Sequence, residues 1–253
     1  MSKKKIGVII QARTGSSRLK KKMLLPFGEE STLLGFILSK ISKSVNIPIV
    51  LATSTDPNNK VLGDIARQYG IPTFFGSEND VLERFIQTTK EYGFDNVIRI
   101  CADNPFISME YLTVLIERFE KDIDSDYLSF QKENGTPVMK SHLGYFAEAI
   151  TSEALLKAQQ MTDSTFYHEH VTNFIYENED HFNVKFIPVP KELDREDYRL
   201  TLDTEEDYEM LFELEKELSN KYNNEYDAIQ VLAMVENMNL QEKMVSIINK
   251  QTK

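Results

Sequence analysis

Residues 5–22 read KIGVIIQARTGSSRLKKK, an apolar run followed by a short loop of small and basic residues. The apolar run, residues 6–10, is typical of a strand that is covered on both faces of a parallel sheet. The loop after it offers backbone N–H groups and positive charge at one place, which is what a polyphosphate needs. The stretch therefore predicts a phosphate-binding loop behind the first strand. A solvated basic loop is the alternative.

Charge is distributed unevenly along the chain. The first 22 residues carry eight basic side chains and no acidic one, whereas the 253 residues together have a formal net charge of −11. An acidic chain argues against an extended nucleic-acid surface, but a local basic loop remains compatible with a small anionic ligand. The single cysteine, Cys101, excludes an internal disulfide and a multi-cysteine metal site.

No apolar run approaches the ~20 residues of a membrane span. The basic start is followed by a run too short for a signal peptide, so we expect a cytoplasmic protein.

Strand-like and helix-like patterns alternate through the first half of the chain. Strands are predicted at residues 6–10, 47–52, 73–75 and 96–101, and helices at residues 33–41, 59–69, 80–92 and 108–121. Repeated βα units with continuous apolar strands predict an α/β fold of three layers, with a mainly parallel sheet between helices.

The pattern is looser after residue 122. Strands are predicted at 127–130 and 137–140 around a turn, then helices from 152 and around 169–176, and a strand at 183–188. We interpret residues 125–195 as a small mixed insert. A further strand at 198–202 precedes a long helix that residues 204–207 cap. Helices near 228–236 and 240–249 complete a C-terminal helical segment, 204–253.

Three cationic side chains of the loop are candidates for phosphate contact. Arg13 and Arg18 can make forked contacts to phosphate oxygens, and Lys22 supplies a compact charge for a transferred or leaving phosphate. The loop is neither a Walker loop nor a dinucleotide fingerprint, since Gly15 stands alone. Its position after the first strand is nevertheless where open α/β sheets bind ligands.

Two aspartates each follow a predicted strand. Asp103 comes after residues 96–101 and Asp203 after residues 198–202. If both lie at one edge of the sheet, they can hold one Mg²⁺, which prefers one or two carboxylates completed by water and substrate phosphates. A simple turn at Asp103 and helix capping at Asp203 are the alternatives. Residues 205–207 are assigned to capping.

The histidines do not form a zinc motif. His168 and His170 lack the i, i+4 spacing of a helical zinc site, whereas His142 precedes Gly144 in the insert and is a reasonable wall for a substrate.

Taken together, the motifs resemble the cytidylyltransferase family, which activates acidic sugars as CMP conjugates, and especially its branch in spore coat polysaccharide biosynthesis. The likeness covers nearly the whole chain and is strongest in residues 9–19 (IIQARTGSSRL), 76–85 (GSENDVLERF), 102–107 (ADNPFI), 168–172 (HEHVT) and 202–207 (LDTEED). It implies one nucleotidyltransferase domain, 1–253, with the nucleotide-diphosphosugar transferase (Rossmann-like) fold. It also implies CTP as donor and Mg²⁺ as cofactor.

The resemblance also implies roles for particular residues. Arg13, Arg18 and Lys22 would be catalytic, and Asp103 and Asp203 would bind the metal. The implied nucleotide site is Gln11, Ala12, Arg13, Thr14, Gly15, Ser16, Lys22, Arg84 and Asp103. His142, Glu148 and His170 would contact the acceptor, a sugar acid or a related anion. Residues 125–195 would serve acceptor binding and dimerisation, with apolar Phe166, Tyr167, Phe174 and Ile175 available for a homodimer contact.

The chain departs from the family pattern in two places. Lys20-Lys21 stand where the loop usually has Pro-Gly, and residues 144–150 read GYFAEAI where an aspartate is usual. The second departure leaves a polyol phosphate open as acceptor. Two other functions also remain open: a glycosyltransferase that uses Asp124-Ser125-Asp126 as its metal motif, and a non-catalytic nucleotide-binding protein.

Overall fold

A single seven-stranded sheet organises the part of the chain that this computed structural model describes, residues 4–122 and 124–251. The strands are β1 (Ile6–Gln11), β2 (Ile49–Ser54), β3 (Thr73–Gly76), β4 (Asn96–Cys101), β5 (Tyr127–Gln131), β6 (Glu148–Thr151) and β7 (Val184–Pro188). Their order is β3-β2-β1-β4-β6-β5-β7. All neighbours are parallel except β6, which runs antiparallel to β4 and β5.

Helices cover both faces of the sheet. They are α1 (Leu33–Ser44), α2 (Lys60–Gln68), α3 (Val81–Tyr92), α4 (Met109–Lys121), α5 (Ser152–Met161), α6 (Thr165–Glu169), α7 (Asn173–Tyr176), α8 (Glu205–Tyr222), α9 (Ala228–Asn237) and α10 (Gln241–Gln251). Side chains that accept a hydrogen bond from the first turn begin several of them, as Thr32 does for α1 and Asp80 for α3.

Strand β1 shows why the fold has three layers. Val8 and Ile10 belong to one core, which packs against α1, α2, α4 and the C-terminal helices. Ile9, between them, belongs to the other core, with α3, α5 and α7. Because successive side chains of a strand point to opposite faces, an unbroken apolar run requires cover on both sides. The predicted three-layer, mainly parallel fold is confirmed.

The first half of the chain follows the predicted order of elements, with small shifts at their ends. The second half contains two corrections. Residues 137–140 are not a strand: an isolated bridge joins Gln131 to Pro137, and a 3-10 turn follows at Val138–Lys140. Proline lacks the N–H that a paired strand would donate. The strand that pairs with β5 is instead β6, a four-residue element that begins with a charged side chain.

The segment at 198–202 is extended but is not a strand of the sheet. Its backbone joins the rest of the chain through single hydrogen bonds, from Leu200 N to His142 O (2.8 Å) and from Leu202 N to Asp103 O (2.8 Å). The predicted helix around 169–176 is likewise two short helices, because Val171 between them has a φ of 40°.

Residues 125–195 contribute β5, β6 and β7 to the same sheet as β1–β4. Their assignment as an acceptor and dimerisation unit stays a prediction. None of the described helices combines the length and apolar character that would be needed to span a bilayer.

Candidate active site

Three distant segments of the chain meet at the carboxyl end of the central strands. Gln11, the last residue of β1, lies opposite Cys101, the last residue of β4, so the loops after both strands leave from one edge of the sheet. The hydrogen bond from Leu202 N to Asp103 O brings the 198–203 segment alongside. Asp103, Asp203 and the basic loop therefore share one place, as the sequence predicts.

The ammonium group of Lys22 lies between the two aspartates. Its Nζ donates to Leu202 O at 2.7 Å and lies 3.1 Å from Asp203 Oδ1 and 3.5 Å from Asp103 Oδ2. The Lys22 side chain is only 10% exposed, whereas those of Asp203 and Asp103 are 17% and 34% exposed. One ammonium thus draws together two carboxylates that are 100 residues apart in the sequence, and both carboxylates remain open to a ligand.

The two arginines of the loop are also paired with carboxylates. Arg18 contacts Asp203 Oδ1 at 3.0 Å, and Arg13 donates to Glu169 Oε1 at 2.7 Å. Since both guanidiniums are about half exposed, an incoming polyanion can reach them. Glu169 was not among the predicted site residues.

Thr14 has a different role from the one expected. Its backbone N–H and its hydroxyl both donate to Asn59 Oδ1, each at 2.8 Å, and Asn59 in turn donates to Ser54 Oγ at 2.6 Å. The N–H of Thr14 is therefore engaged in holding the loop against β2 and is not directed at a ligand. Gly15 beside it is exposed, with no atom within 4 Å of where a Cβ would stand.

Two adjoining cavities open at this edge. The smaller, of about 290 Å³, lies against the basic loop, and the larger, of about 400 Å³, lies against residues 138–146. They share a wall that includes Arg18, Arg99, Asp103, His170 and Asp203. We call them the nucleotide cavity and the acceptor cavity, after the ligands that the sequence analysis assigns to residues in their walls. Asp103 and Asp203, the predicted metal ligands, lie in the common wall.

Arg99 forms the floor of both cavities. It donates to Gln11 Oε1 at 3.1 Å and to Glu148, whose carboxylate also accepts from Tyr127 Oη at 2.7 Å and Thr172 Oγ1 at 3.1 Å. Glu148 is fully buried and is not among the described side chains that line either cavity. This corrects the expectation of a direct acceptor contact: Glu148 lies behind Arg99 and can act on a ligand only through it.

A second buried arginine, Arg199, contacts the carboxylates of Asp203 and Asp207. Arg199 binds Asp207 through Nε (2.7 Å) and a terminal nitrogen (2.8 Å), approaches Asp203 Oδ2 at 3.4 Å and lies 2.7 Å from His142 Nδ1. Burial and the Arg199 charge lower the pKa of His142. A neutral His142 accepts from Arg199 through Nδ1 and lies in the wall of the acceptor cavity. Its contact with an acceptor stays a prediction.

Arg84 is fully buried on α3 and does not line the described walls of the two cavities. One terminal nitrogen donates to Ser77 O at 3.1 Å, while Nε and the other terminal nitrogen have no hydrogen-bond partner among the described residues. Burial lowers its pKa to about 10. Because Arg84 lies outside the described cavity walls, its side chain does not make the predicted nucleotide contact from there.

The chemistry of the donors fits a divalent cation. Asp103 and Asp203 supply hard oxygen ligands, and Mg²⁺ is commonly held by one or two carboxylates together with water and substrate phosphates. Among the described residues, no group of three or more His, Cys, Asp or Glu side chains is arranged for a metal.

Comparison with known proteins agrees with this geometry. The family model for cytidylyltransferases matches residues 7–247. The chain belongs to the cytidylyltransferase family. It is a nucleotidyltransferase by that membership, which leaves no support for a non-catalytic binding protein.

Two curated relatives of this cytidylyltransferase cover most of the chain. An uncharacterized protein of Methanocaldococcus jannaschii is 38% identical over 213 residues, 84% of each chain. The spore coat polysaccharide biosynthesis protein SpsF of Bacillus subtilis is 33% identical over 211 residues, 80% of this chain and 83% of the relative.

Solved structures confirm the fold of this cytidylyltransferase. A cytidylyltransferase of Leptospira borgpetersenii superposes with a TM-score of 0.80 at 28% identity, over 94% of this chain and 96% of the other. CMP:2-keto-3-deoxy-manno-octonic acid synthetase in complex with CTP superposes with a TM-score of 0.62 at 13% identity, over 86% and 99%.

The sequence analysis of this cytidylyltransferase did not predict three residues of the site: Arg99, Arg199 and Glu169. A signal for the two arginines exists: each interrupts an apolar run, Ile98-Arg99-Ile100 and Tyr198-Arg199-Leu200, and a charge inside such a run has to be paired. Which carboxylate pairs with it depends on the tertiary fold. Glu169 lies within the family-like stretch 168–172 (HEHVT), but a single glutamate is common on protein surfaces and its residue type alone does not indicate a role.

Proposed function

We propose that this chain transfers CMP from CTP to a small anionic acceptor, a sugar acid or a related compound, and releases pyrophosphate with the help of Mg²⁺. The observation that carries the proposal is the convergence of Asp103 and Asp203 on Lys22 at the junction of two cavities. The CTP bound to the synthetase with the same fold supports the choice of nucleotide.

The basic loop would bind the triphosphate. Arg13, Arg18 and Lys22 place three positive charges at the nucleotide cavity, and each is held there by a carboxylate. Attack on the α-phosphorus builds negative charge on the departing pyrophosphate, and preorganised cations stabilise that charge. We assign this role to Arg18 and Lys22, with Arg13 at the outer end of the loop.

Asp103 and Asp203 would hold Mg²⁺ at the shared wall. There the ion would neutralise phosphate oxygens and make the α-phosphorus a better electrophile. The chain's own part is to orient the carboxylates, which Lys22 does for both and Arg199 for Asp203.

The acceptor cavity is suited to an anion. Lys140, His142 and Arg99 line it together with the neutral side chains of Ser141 and Asn173. A carboxylate or a phosphate can be bound by such a set, so a sugar acid and a polyol phosphate both fit the proposal. The Bacillus subtilis relative is named as a spore coat polysaccharide biosynthesis protein, and that name supports an acceptor that serves polysaccharide biosynthesis.

A glycosyltransferase is disfavoured by the place of its would-be metal motif. Tyr127, which follows Asp126, is level with Ile150 and through it with Val97, near the start of β4. Asp103 follows the other end of β4. Asp124 and Asp126 therefore lie at the opposite edge of the sheet from the two cavities.

A homodimer and a cytoplasmic location belong to the same proposal. Phe166 is 52% exposed and stacks edge-on with Tyr167, which contacts Phe174, so an aromatic surface is available near the acceptor cavity. Ile175 is fully buried and contributes nothing to that surface. CTP as the substrate supports a location in the cytoplasm, where nucleoside triphosphates are made.

A pyrophosphate-release screen tests the proposal. The purified chain is offered each of the four ribonucleoside triphosphates with Mg²⁺ and a panel of sugar acids and polyol phosphates. We expect release with CTP and with one acceptor class, and a phosphodiester product that contains CMP. Asp64→Asn, a change in an exposed ion pair on α2, is the matched control. No release with any pair of substrates would contradict the proposal.

A further inference from the structure

Helix α6 ends at the nucleotide cavity, where Glu169 and His170 form part of the wall. Two neighbouring side chains of α6 tie it to two other elements. His168 contacts Asp80, the residue that caps α3, and Glu169 contacts Arg13 in the loop after β1. We call these two contacts the α6 clasp.

The outer contact of the clasp fixes a cation that the reaction needs. Glu169 Oε1 accepts from one terminal nitrogen of Arg13 at 2.7 Å, with the side chains 36% and 41% exposed. A guanidinium has five N–H donors in a rigid planar fork, so one anchored nitrogen sets the plane of the whole group. The remaining donors are then oriented before a phosphate arrives, which lowers the entropy lost on binding.

The inner contact depends on the charge of His168. Its Nδ1 lies 2.7 Å from Asp80 Oδ2 and its Nε2 lies 2.9 Å from Thr162 O. Both partners are acceptors, and only a doubly protonated imidazolium can donate from both nitrogens. The geometry therefore requires the charged form of His168 for both bonds to be made.

The groups around His168 agree with that charge. Asp80 on α3, Asp163 in the loop after α5 and the carbonyl of Thr162 all face it, while Arg84 on α3 adds positive charge near Asp80. Partial burial disfavours the imidazolium, but the bonds to Asp80 and Thr162 outweigh it and raise the pKa of His168. The contact is therefore complete below this raised pKa and is lost as the pH rises through it.

We infer that Glu169 is a positioning residue that orients Arg13 for the triphosphate, and that the imidazolium of His168 holds Glu169 in place by anchoring α6 to Asp80. The inference rests on the proposed function, since it assigns the clasp to CTP binding. Neither residue touches the reacting atoms. The clasp should therefore act on CTP affinity and leave the chemical step alone.

The test compares the KM for CTP, kcat and the dissociation constant of CTP with Mg²⁺ for the wild type, Glu169→Gln and the control Asp64→Asn. Loss of one half-exposed ion pair should raise KM and the dissociation constant about fivefold. We expect kcat to stay within about twofold, since uniform binding alone is removed. An unchanged KM, or a fall in kcat at constant KM, would overturn the inference.

A pH series isolates His168. As the pH rises through the raised pKa of His168, the wild-type KM for CTP should rise because the imidazolium loses its proton. His168→Lys keeps a charge toward Asp80 and should give a flat profile, whereas His168→Gln should show the high KM throughout. A wild-type profile as flat as that of His168→Lys would refute the role of His168.

The two hypotheses can fail separately. If the wild type binds CTP but releases no pyrophosphate, the proposed function fails, and the ratio of dissociation constants still decides on the clasp. If the wild type turns over CTP and Glu169→Gln matches it in every constant, only the clasp is refuted.

Discussion

Replacing Asp207 with alanine should destabilise the protein more than any surface change of the same kind. The side chains of Arg199 and Asp207 are both fully buried and joined by two hydrogen bonds of 2.7 and 2.8 Å. Asp207 Oδ2 also accepts from the backbone N–H of Asp203 at 3.0 Å and of Thr204 at 2.9 Å. Removing this carboxylate takes from a buried guanidinium the only one of the described carboxylates that binds it with two hydrogen bonds, and breaking such a buried pair costs about 3–5 kcal/mol.

Thermal and urea unfolding, followed by circular dichroism, measure this loss. At about 2–4 °C per kcal/mol for a chain of this size, the Tm should fall by about 6–20 °C. The matched control is Asp197→Ala. Asp197 binds Arg195 with the same two-bond geometry, at 2.9 and 2.8 Å, but both side chains are about one-third exposed. An exposed pair contributes about 0–1 kcal/mol. Equal losses in the two variants would refute the reasoning.

The stability of the protein at acid pH gives a second check on the pair of Arg199 and Asp207. Burial pushes the pKa of Asp207 upward, but the hydrogen bonds and charge of Arg199 outweigh it and hold that pKa below its ordinary value. A depressed pKa means that the stabilisation is present above the unfolded value, near about pH 4, and is lost as the pH falls further. The difference in unfolding free energy between the wild type and Asp207→Ala should therefore shrink in acid.

The remaining predictions concern the loop after β1 and the end of β4. Lys22→Ala should lower kcat about 100-fold in pyrophosphate release, because a preorganised cation is lost; an unchanged kcat would leave Lys22 with a purely structural role. Lys21 has a φ of 57°, a region that disfavours residues with a side chain, so Lys21→Gly should raise the unfolding free energy by up to about 1 kcal/mol in urea titrations. Cys101 is half-buried in the wall of both cavities, and desolvation there raises the pKa of its thiol to about 12, so iodoacetamide should modify it far more slowly at pH 8 than it modifies a small-molecule thiol; equal rates would contradict the raised pKa.

Much of the fold can be read from the first half of the sequence. The run at residues 6–10 and the helical spacing of Leu33, Leu34, Ile37 and Ile41 are local patterns with one structural solution each. The extended segment at 198–202 has the same apolar pattern as a strand, but it is not one of the strands that pair in the described sheet. Pairing is a tertiary property, so local patterns do not distinguish the two.

The candidate site divides in the same way. Asp103 and Asp203 each follow a predicted strand, and Lys22 belongs to the basic loop after another predicted strand. The sequence therefore predicts that these three residues lie at one edge of the sheet. Glu148 and Thr14 were placed in contact with ligands, yet their polar atoms are directed at Arg99 and Asn59. Sequence reasoning finds residues that belong to a site, whereas the direction of each side chain depends on partners that only the fold brings near.

The backbone conformation of Lys21 is a further feature that its residue type does not predict. The resemblance implies glycine at this position, and here a lysine adopts the left-handed backbone that glycine would take without strain. Beside it, Lys22 is held by Leu202 and both aspartates.

Binding of Mn²⁺ in the presence of CTP is the most direct test of the central claim, that Asp103 and Asp203 form one cation site with the nucleotide. Electron paramagnetic resonance titration of the wild type, Asp103→Asn, Asp203→Asn and the control Asp64→Asn would measure it. We expect the first two variants each to lose at least about tenfold in Mn²⁺ affinity while the control matches the wild type. Unchanged affinity in folded Asp103→Asn and Asp203→Asn would contradict the account.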